Sequence, residues 1–252
     1  MPVHHELSQQ TFAPDGPHKS DATTVENVGR ILAIVTHDLK TPLTGVKLYA
    51  DILLSQAAEA DAETRAKFLA IISSEADRMS RMITNIVDYQ NIINGTTEWY
   101  DKAADVAKVI SRCVKPYQIW CAAKGINFSF TNDVEGLVIT LDIDRFTRLV
   151  MGLLTNALRF TERGGIKLEL RHDGAKLFLT ISDSGPGIAE ERLQQLSTPS
   201  VGVPGVSNDI GLAFAAAVVA HYQGRFWAES VMGNGSVFYI ELPLRHEDAE
   251  VC

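Results

Sequence analysis

The chain has 252 residues, of which 46% are hydrophobic and 21% charged, and a formal net charge of -8. That length holds one large domain or two modest ones, each able to bury a core. An acidic chain without a block of lysine and arginine speaks against a nucleic-acid or anionic-membrane surface. No run approaches the roughly 18 apolar residues that a membrane span needs, and the N-terminus lacks the pattern of a secretory leader. Cys113, Cys121 and Cys252 are too widely spaced for a disulfide framework or a zinc site. A cytoplasmic protein is expected.

Residues 1–22 carry Pro2, Pro14, Gly16 and Pro17 without periodicity and are expected to form a disordered tail. Apolar residues Val28, Ile31, Leu32, Val35, Leu39, Val46, Ala50, Leu53 and Leu54 then recur at helical spacing, which predicts a long helix from about Thr24 to Ala58. After an acidic turn, a second helix should run to about Asn94, with Phe68, Ile72, Met79, Ile83, Ile86 and Ile93 on one face. Asn94-Gly95 is a fitting stop. Two helices with one stripe each close no core alone, so residues 23–94 are expected to pair with a second copy as a four-helix bundle.

Residues 95–102 read as a hinge, and residues 103–246 as a second domain before a short tail, 247–252. In it the pattern predicts a helix over Ala104–Ala123, strands Ile126–Phe130 and Leu137–Leu141, and a helix capped by Asp142 that runs to Thr161. Strands Ile166–Arg171 and Lys176–Ser182 flank an Asp173-Gly174 hairpin turn. An irregular span precedes the apolar helix Ile210–Tyr222, and strands Arg225–Ser230 and Ser236–Leu244 close the domain. The fold class is therefore α+β: a helical hairpin, then an α/β sandwich with helices on one face of a largely antiparallel sheet.

Thr36-His37-Asp38-Leu39-Lys40-Thr41-Pro42-Leu43 sets a histidine beside an acid on the first helix. His37 lies two residues past Val35, about 200° around the helix, and so points away from the apolar stripe. An exposed imidazole that is nucleophilic near neutral pH suits phosphoryl acceptance, and a neighbouring carboxylate can orient the ring or take its proton. In the second domain, Asp183-Ser184-Gly185-Pro186-Gly187-Ile188 follows a strand directly. Its acid can accept from an exocyclic amine while the glycines let a flat base approach the backbone. Asn156 and Arg159 share a helix face, where an amide oxygen can hold Mg²⁺ and a guanidinium can meet a phosphate. Gly211 opens the apolar helix, whose free amides suit a phosphate.

Taken in order, these segments resemble the histidine kinases of two-component systems over residues 24–245. Thr36–Leu43 looks like the family's phosphoacceptor box, Leu153–Phe160 like its N box, Asp183–Ile188 like its first glycine box and Ile210–Ala213 like the end of its second. The resemblance implies a dimerising phosphotransfer bundle joined to an ATP-binding domain of the kind shared with DNA gyrase. By position, His37 would take the γ-phosphoryl group of ATP, with Asp38 as its acid/base partner. Thr41 would position water for dephosphorylating a regulator. Asn156 would ligate Mg²⁺, Arg159 would contact phosphate, and Asp183 would bind the adenine amine. Gly185, Gly187 and Gly211 would shape the pocket. The implied partners are a response-regulator receiver domain and a second copy of the chain. With no input domain in the sequence, signals are expected to arrive through a separate sensor protein or through the tail and upper bundle.

The match departs on the triphosphate side. Gly152 stands where the family carries an earlier asparagine, Asp209 replaces a glycine, and Leu193–Gly205 lacks the family's phenylalanine-rich lid. The expected function is histidine autophosphorylation followed by transfer to a regulator aspartate. The alternative is a degenerate relative acting as a regulator phosphatase, phosphotransfer protein or scaffold.

Overall fold

The computed structural model describes residues 4–6, 39–55, 61–197 and 210–244, with side chains at all of these except 4–6 and 194–197. They fall into two compact units, one containing the helical residues up to Asn91 and the other containing the sheet.

In the helical unit, residues 39–55 form α1 and Ala62–Ile93 forms α2. Asp61 caps α2, its Oδ1 accepting from the Thr64 N–H at 2.6 Å. Gly95, at φ +67°, lets the chain turn away, and its N–H donates to the Ile92 carbonyl at 3.1 Å. The Tyr49 and Phe68 rings meet at 5.3 Å between the two helices. Among the described residues of this hairpin only Pro42 and Tyr89 are buried. Leu43, Leu48, Leu54, Leu69, Ile83 and Val87 each remain about half exposed or more.

The second unit is built on a six-stranded sheet in the order β1-β7-β8-β6-β5-β3. Its strands are β1 (His4–Glu6), β3 (Asn127–Asn132), β5 (Gly165–His172), β6 (Lys176–Asp183), β7 (Arg225–Val231) and β8 (Gly235–Pro243). All neighbours pair antiparallel except β3 and β5, whose parallel register runs Asn127 to Gly165 through Asn132 to Leu170. A separate ribbon pairs β2 (Asp101–Asp105) with β4 (Val138–Asp142).

Alternation places Ile166, Leu168, Leu170, Leu177, Leu179, Ile181, Phe226, Ala228, Phe238, Ile240 and Leu242 on one buried face. Helices α3 (Val106–Lys124), α4 (Ile143–Phe160) and α6 (Ile210–His221) contribute their apolar residues to the same core, which includes Ile110, Tyr117, Phe146, Leu154, Phe214 and Val218. Each such fully buried side chain contributes on the order of 1.5–3 kcal/mol. This is the expected α+β architecture.

Four local expectations are corrected. The helix expected from Ala104 begins at Val106, because Asp101–Asp105 pairs with β4. The hinge expected over 95–102 therefore ends at Tyr100. Asp105 then caps α3, its Oδ1 accepting from the Lys108 N–H at 3.0 Å. The irregular span after the glycine loop contains α5 (Glu190–Ser197), anchored by the buried Leu193. Within the stretch expected as a disordered tail, His4–Glu6 pairs with β7, while the rest of 1–22 lies outside the described residues.

Candidate nucleotide-binding site

Strand β6 ends at Asp183, whose Oδ1 accepts from the Gly185 N–H at 2.8 Å. Burial pushes the Asp183 carboxyl above its ordinary value of 3.8, opposed by the backbone N–H groups of Gly185 and Ser236. Gly185 is required by close approach. A Cβ there would lie 2.8 Å from Asp183 Oδ1 and 3.0 Å from the Phe160 carbonyl oxygen. Gly187, at φ +77°, lies against the Val231 carbonyl and Met232 Cα.

Two serines hold this bare backbone still. Ser184 Oγ accepts from the Gly165 N–H at 2.8 Å and donates to the Arg163 carbonyl at 2.8 Å. Ser230 Oγ accepts from the Ile188 N–H at 2.8 Å and donates to the Gly235 carbonyl at 2.7 Å. Neither serine stands out in the sequence. Their signal is a small hydroxyl at the end of a strand, which also fits an ordinary turn. The partly exposed apolar residues Phe160, Val231 and Met232 flank the loop and give a flat base apolar surface beside a half-buried acceptor.

Helix α4 buries Phe146, Leu149, Val150, Leu153, Leu154 and Ala157, which turns Gly152, Asn156 and Arg159 away from that stripe. Asn156 is half-buried, and Arg159 is exposed with its guanidinium 5.3 Å from the centre of the Phe160 ring. Lys124 Nζ donates to the Leu158 carbonyl at 2.6 Å and so caps the end of α4. The structure thus brings Asp183, Gly185 and Gly187 together with the Phe160 end of α4, next to Arg159. Gly211 sits in the first turn of α6, and Thr41 is exposed on α1. His37, Asp38, Asp209 and most of the expected lid lie outside the described residues.

No group of three or more His, Cys, Asp or Glu side chains gathers as a metal site among the described residues. A lone Asn156 carboxamide fits Mg²⁺, which keeps waters and takes substrate phosphate oxygens rather than a full protein cage. Gly152 has nothing within 4 Å of where a Cβ would stand. The substitution Gly152→Ala should therefore stabilise the protein by about 0.5–1 kcal/mol through helix propensity. A urea midpoint that does not rise would show that the position is not free.

Residues 141–246 match the family model for histidine kinase-, DNA gyrase B- and HSP90-like ATPases, and residues 27–95 match that for the His kinase A (phospho-acceptor) domain. The adaptive-response sensory kinase SasA of Synechococcus sp. (strain JA-3-3Ab) is 27% identical over 95% of this chain and 65% of its own length. The sensor protein kinase WalK of Staphylococcus saprophyticus is 26% identical over 88% of this chain and 38% of its own. The chain thus spans 38% to 65% of the length of these relatives. Among solved structures, histidine kinase ThkA in complex with response regulator protein TrrA superimposes with a TM-score of 0.66 at 23% identity, covering 88% of this chain and 64% of that one. Acinetobacter baumannii histidine kinase AdeS gives 0.63 at 19% identity, covering 83% and 98%. At such identities the structural likeness speaks for the fold.

The sheet, its covering helices and the acid-and-glycine loop define an ATPase domain of the histidine kinase and gyrase kind. With the phospho-acceptor segment before it, the chain belongs to the sensor histidine kinases. No helix among the described residues is long and apolar enough to cross a membrane.

Proposed function

We propose that this chain is a histidine kinase that phosphorylates His37 from Mg-ATP and passes the group to an aspartate of a response regulator. The observation that carries the reading is the half-buried Asp183 carboxylate beside the bare, serine-pinned backbone of Gly185 and Gly187. It offers an acceptor for the adenine amine and room for the ring. Arg159 would bind phosphate, and the first turn of α6 at Gly211 would offer free amides to the same group. Asn156 would hold Mg²⁺, which supplies charge neutralisation on the phosphates. A ring nitrogen of His37 would form the bond to the γ-phosphorus as the bond to the bridging oxygen of ADP breaks. Asp38 would take the ring proton, and Thr41 would orient water when the regulator is dephosphorylated.

The half-exposed leucines, isoleucine and valine of α1 and α2 support a homodimer through the hairpin, since a second copy would cover them. ThkA forms a complex with a response regulator protein, TrrA, and we extend the same class of partner to this chain. Two buried free thiols, Cys113 and Cys121, are compatible with a cytoplasmic setting.

The test incubates wild type and His37→Gln with γ-labelled Mg-ATP and measures acid-labile protein phosphate. Label on wild type alone is expected, and absence of label on both would overturn the kinase reading. Restoring the missing carboxamide with Gly152→Asn, into open space, should raise the labelling rate if that position faces the metal and phosphates.

A further inference from the structure

Where the second unit begins, the segment Glu98–Asp101 is gripped rather than free. The Trp99 ring lies flat on the His221 imidazole, with centroids 3.6 Å apart and planes 4° from parallel. Tyr222 meets both rings edge-on, at 5.6 Å from Trp99 and 4.8 Å from His221. The Arg145 guanidinium stands 5.0 Å from the Trp99 ring centre, and its Nη1 donates to the Glu98 carbonyl at 3.1 Å. The Tyr100 N–H donates to Asp142 Oδ2 at 3.3 Å. The Tyr222 hydroxyl donates to Asp101 Oδ1 at 2.6 Å and accepts from the Asp142 N–H at 2.8 Å. Burial first, then the bond to Asp101, pushes that hydroxyl far above the ordinary tyrosine range, so it stays a donor.

The gripping residues come from the far ends of two helices. Asp142 and Arg145 open α4, whose later turns carry Asn156 and Arg159. His221 closes α6, whose first turn carries Gly211, and Tyr222 follows it. At 1.5 Å per residue, about 16 Å separates Arg145 from Asn156, and about 15 Å separates Gly211 from His221. Each helix has one end in the clamp and the other on the side assigned to nucleotide. Both are packed into the core along their length, so a displacement at one end is carried to the other rather than absorbed. A passive connector would need neither the stack nor three hydrogen bonds to Arg145, Asp142 and Tyr222.

We propose that Glu98–Asp101 is a coupling clamp, in which nucleotide occupancy and the closed Trp99–His221–Tyr222 arrangement stabilise one another, with these three as positioning residues that do not touch the nucleotide. The proposal rests on the ATP reading above and adds to it a regulation of that site by the segment that follows α2. Coupling of this kind is reciprocal: whatever loosens the clamp weakens nucleotide binding by the same factor by which nucleotide tightens the clamp.

The test measures Mg-ADP dissociation constants by calorimetry for the whole chain as wild type, Trp99→Ala, Trp99→Phe and Tyr222→Phe. Amide hydrogen exchange over 96–101 is followed in wild type with and without Mg-ADP. Trp99→Ala and Tyr222→Phe should bind Mg-ADP about 5-fold or more weakly, Trp99→Phe should recover most of the loss, and Mg-ADP should slow exchange over 96–101. Wild-type affinity in the folded variants, with exchange over 96–101 indifferent to Mg-ADP, would overturn the clamp while leaving the nucleotide site standing. Should Trp99→Ala fail to fold, Tyr222→Phe and the wild-type exchange decide the matter. A wild type that binds no Mg-ADP would defeat the ATP reading, and the coupling with it.

Discussion

Replacing Asp183 by asparagine should weaken Mg-nucleotide binding by about 10- to 100-fold without unfolding the protein. The carboxamide keeps one oxygen, and the Gly185 N–H already claims it at 2.8 Å in the native loop. The amide's NH₂ would then face the base and oppose the adenine amine with a second donor. A charge-assisted bond is lost, and a donor is left without an acceptor in a partly buried seat. Titration with Mg-ADP checks the affinity, and an unchanged constant would remove Asp183 from base recognition.

Stability should move the other way. Burial holds the Asp183 pKa above 3.8, so the folded protein binds this proton more tightly than the unfolded chain. Its contribution therefore falls as pH rises from 3.8 to the raised value and stays low above it. Asp142 and Asp173 have lowered pKa values, so their contributions are present above 3.8 and are lost as pH falls through those values. For Asp142 burial raises the pKa, and the bonds from Arg145 and Tyr100 outweigh it. For Asp173 the Ala175 and Lys176 amides lower it. Subtracting urea unfolding profiles of Asp183→Asn from those of wild type isolates the Asp183 window. The variant should be equal or more stable at neutral pH.

Much of the second unit is legible in the sequence because its signals are local. Asp173-Gly174 sets the β5–β6 register, and the Asp173 carboxylate accepts from the Ala175 and Lys176 amides at 2.9 and 2.8 Å. The apolar residues of α4 recur at helical spacing, and the DSGPGI run marks a strand end with its glycine loop. What escapes is long-range. Strand β2 reads Asp-Lys-Ala-Ala-Asp, without a β-branched or aromatic residue, and is a strand because β4 pairs with it. Helix α5 is polar and short, and Leu193 anchors it only once the core exists. The stack of Trp99 on His221 joins residues from opposite ends of the unit, which no window of sequence can register. His37 and Asp38 lie outside the described residues, so their roles rest on the phosphoacceptor box and the matched span.

The largest loss of stability is expected at the turn between β7 and β8. Gly235→Ala should cost on the order of 3 kcal/mol, whereas Gly233→Ala, two residues away, should cost about 1 kcal/mol. Both glycines have positive φ, +83° at Gly233 and +89° at Gly235, so an alanine at either position bears the left-handed penalty. They differ in their surroundings. Nothing stands within 4 Å of a Cβ at Gly233, while one at Gly235 would run into the Asp183 carbonyl and come within 3.0 Å of Ser184 Cα. Those atoms are backbone and cannot rotate away, so β6 and β8 must part where Asp183 pairs with Ser236. The Gly235 carbonyl also receives the Ser230 hydroxyl that fixes Ile188, so the displacement reaches the glycine loop. Urea unfolding of both variants measures the difference, and Mg-ADP titration of whatever folds should show the Gly235 variant weakened and the Gly233 variant close to wild type. Equal costs at the two positions would mean that β8 can shift without disturbing Asp183, and that the turn and the nucleotide seat are independent.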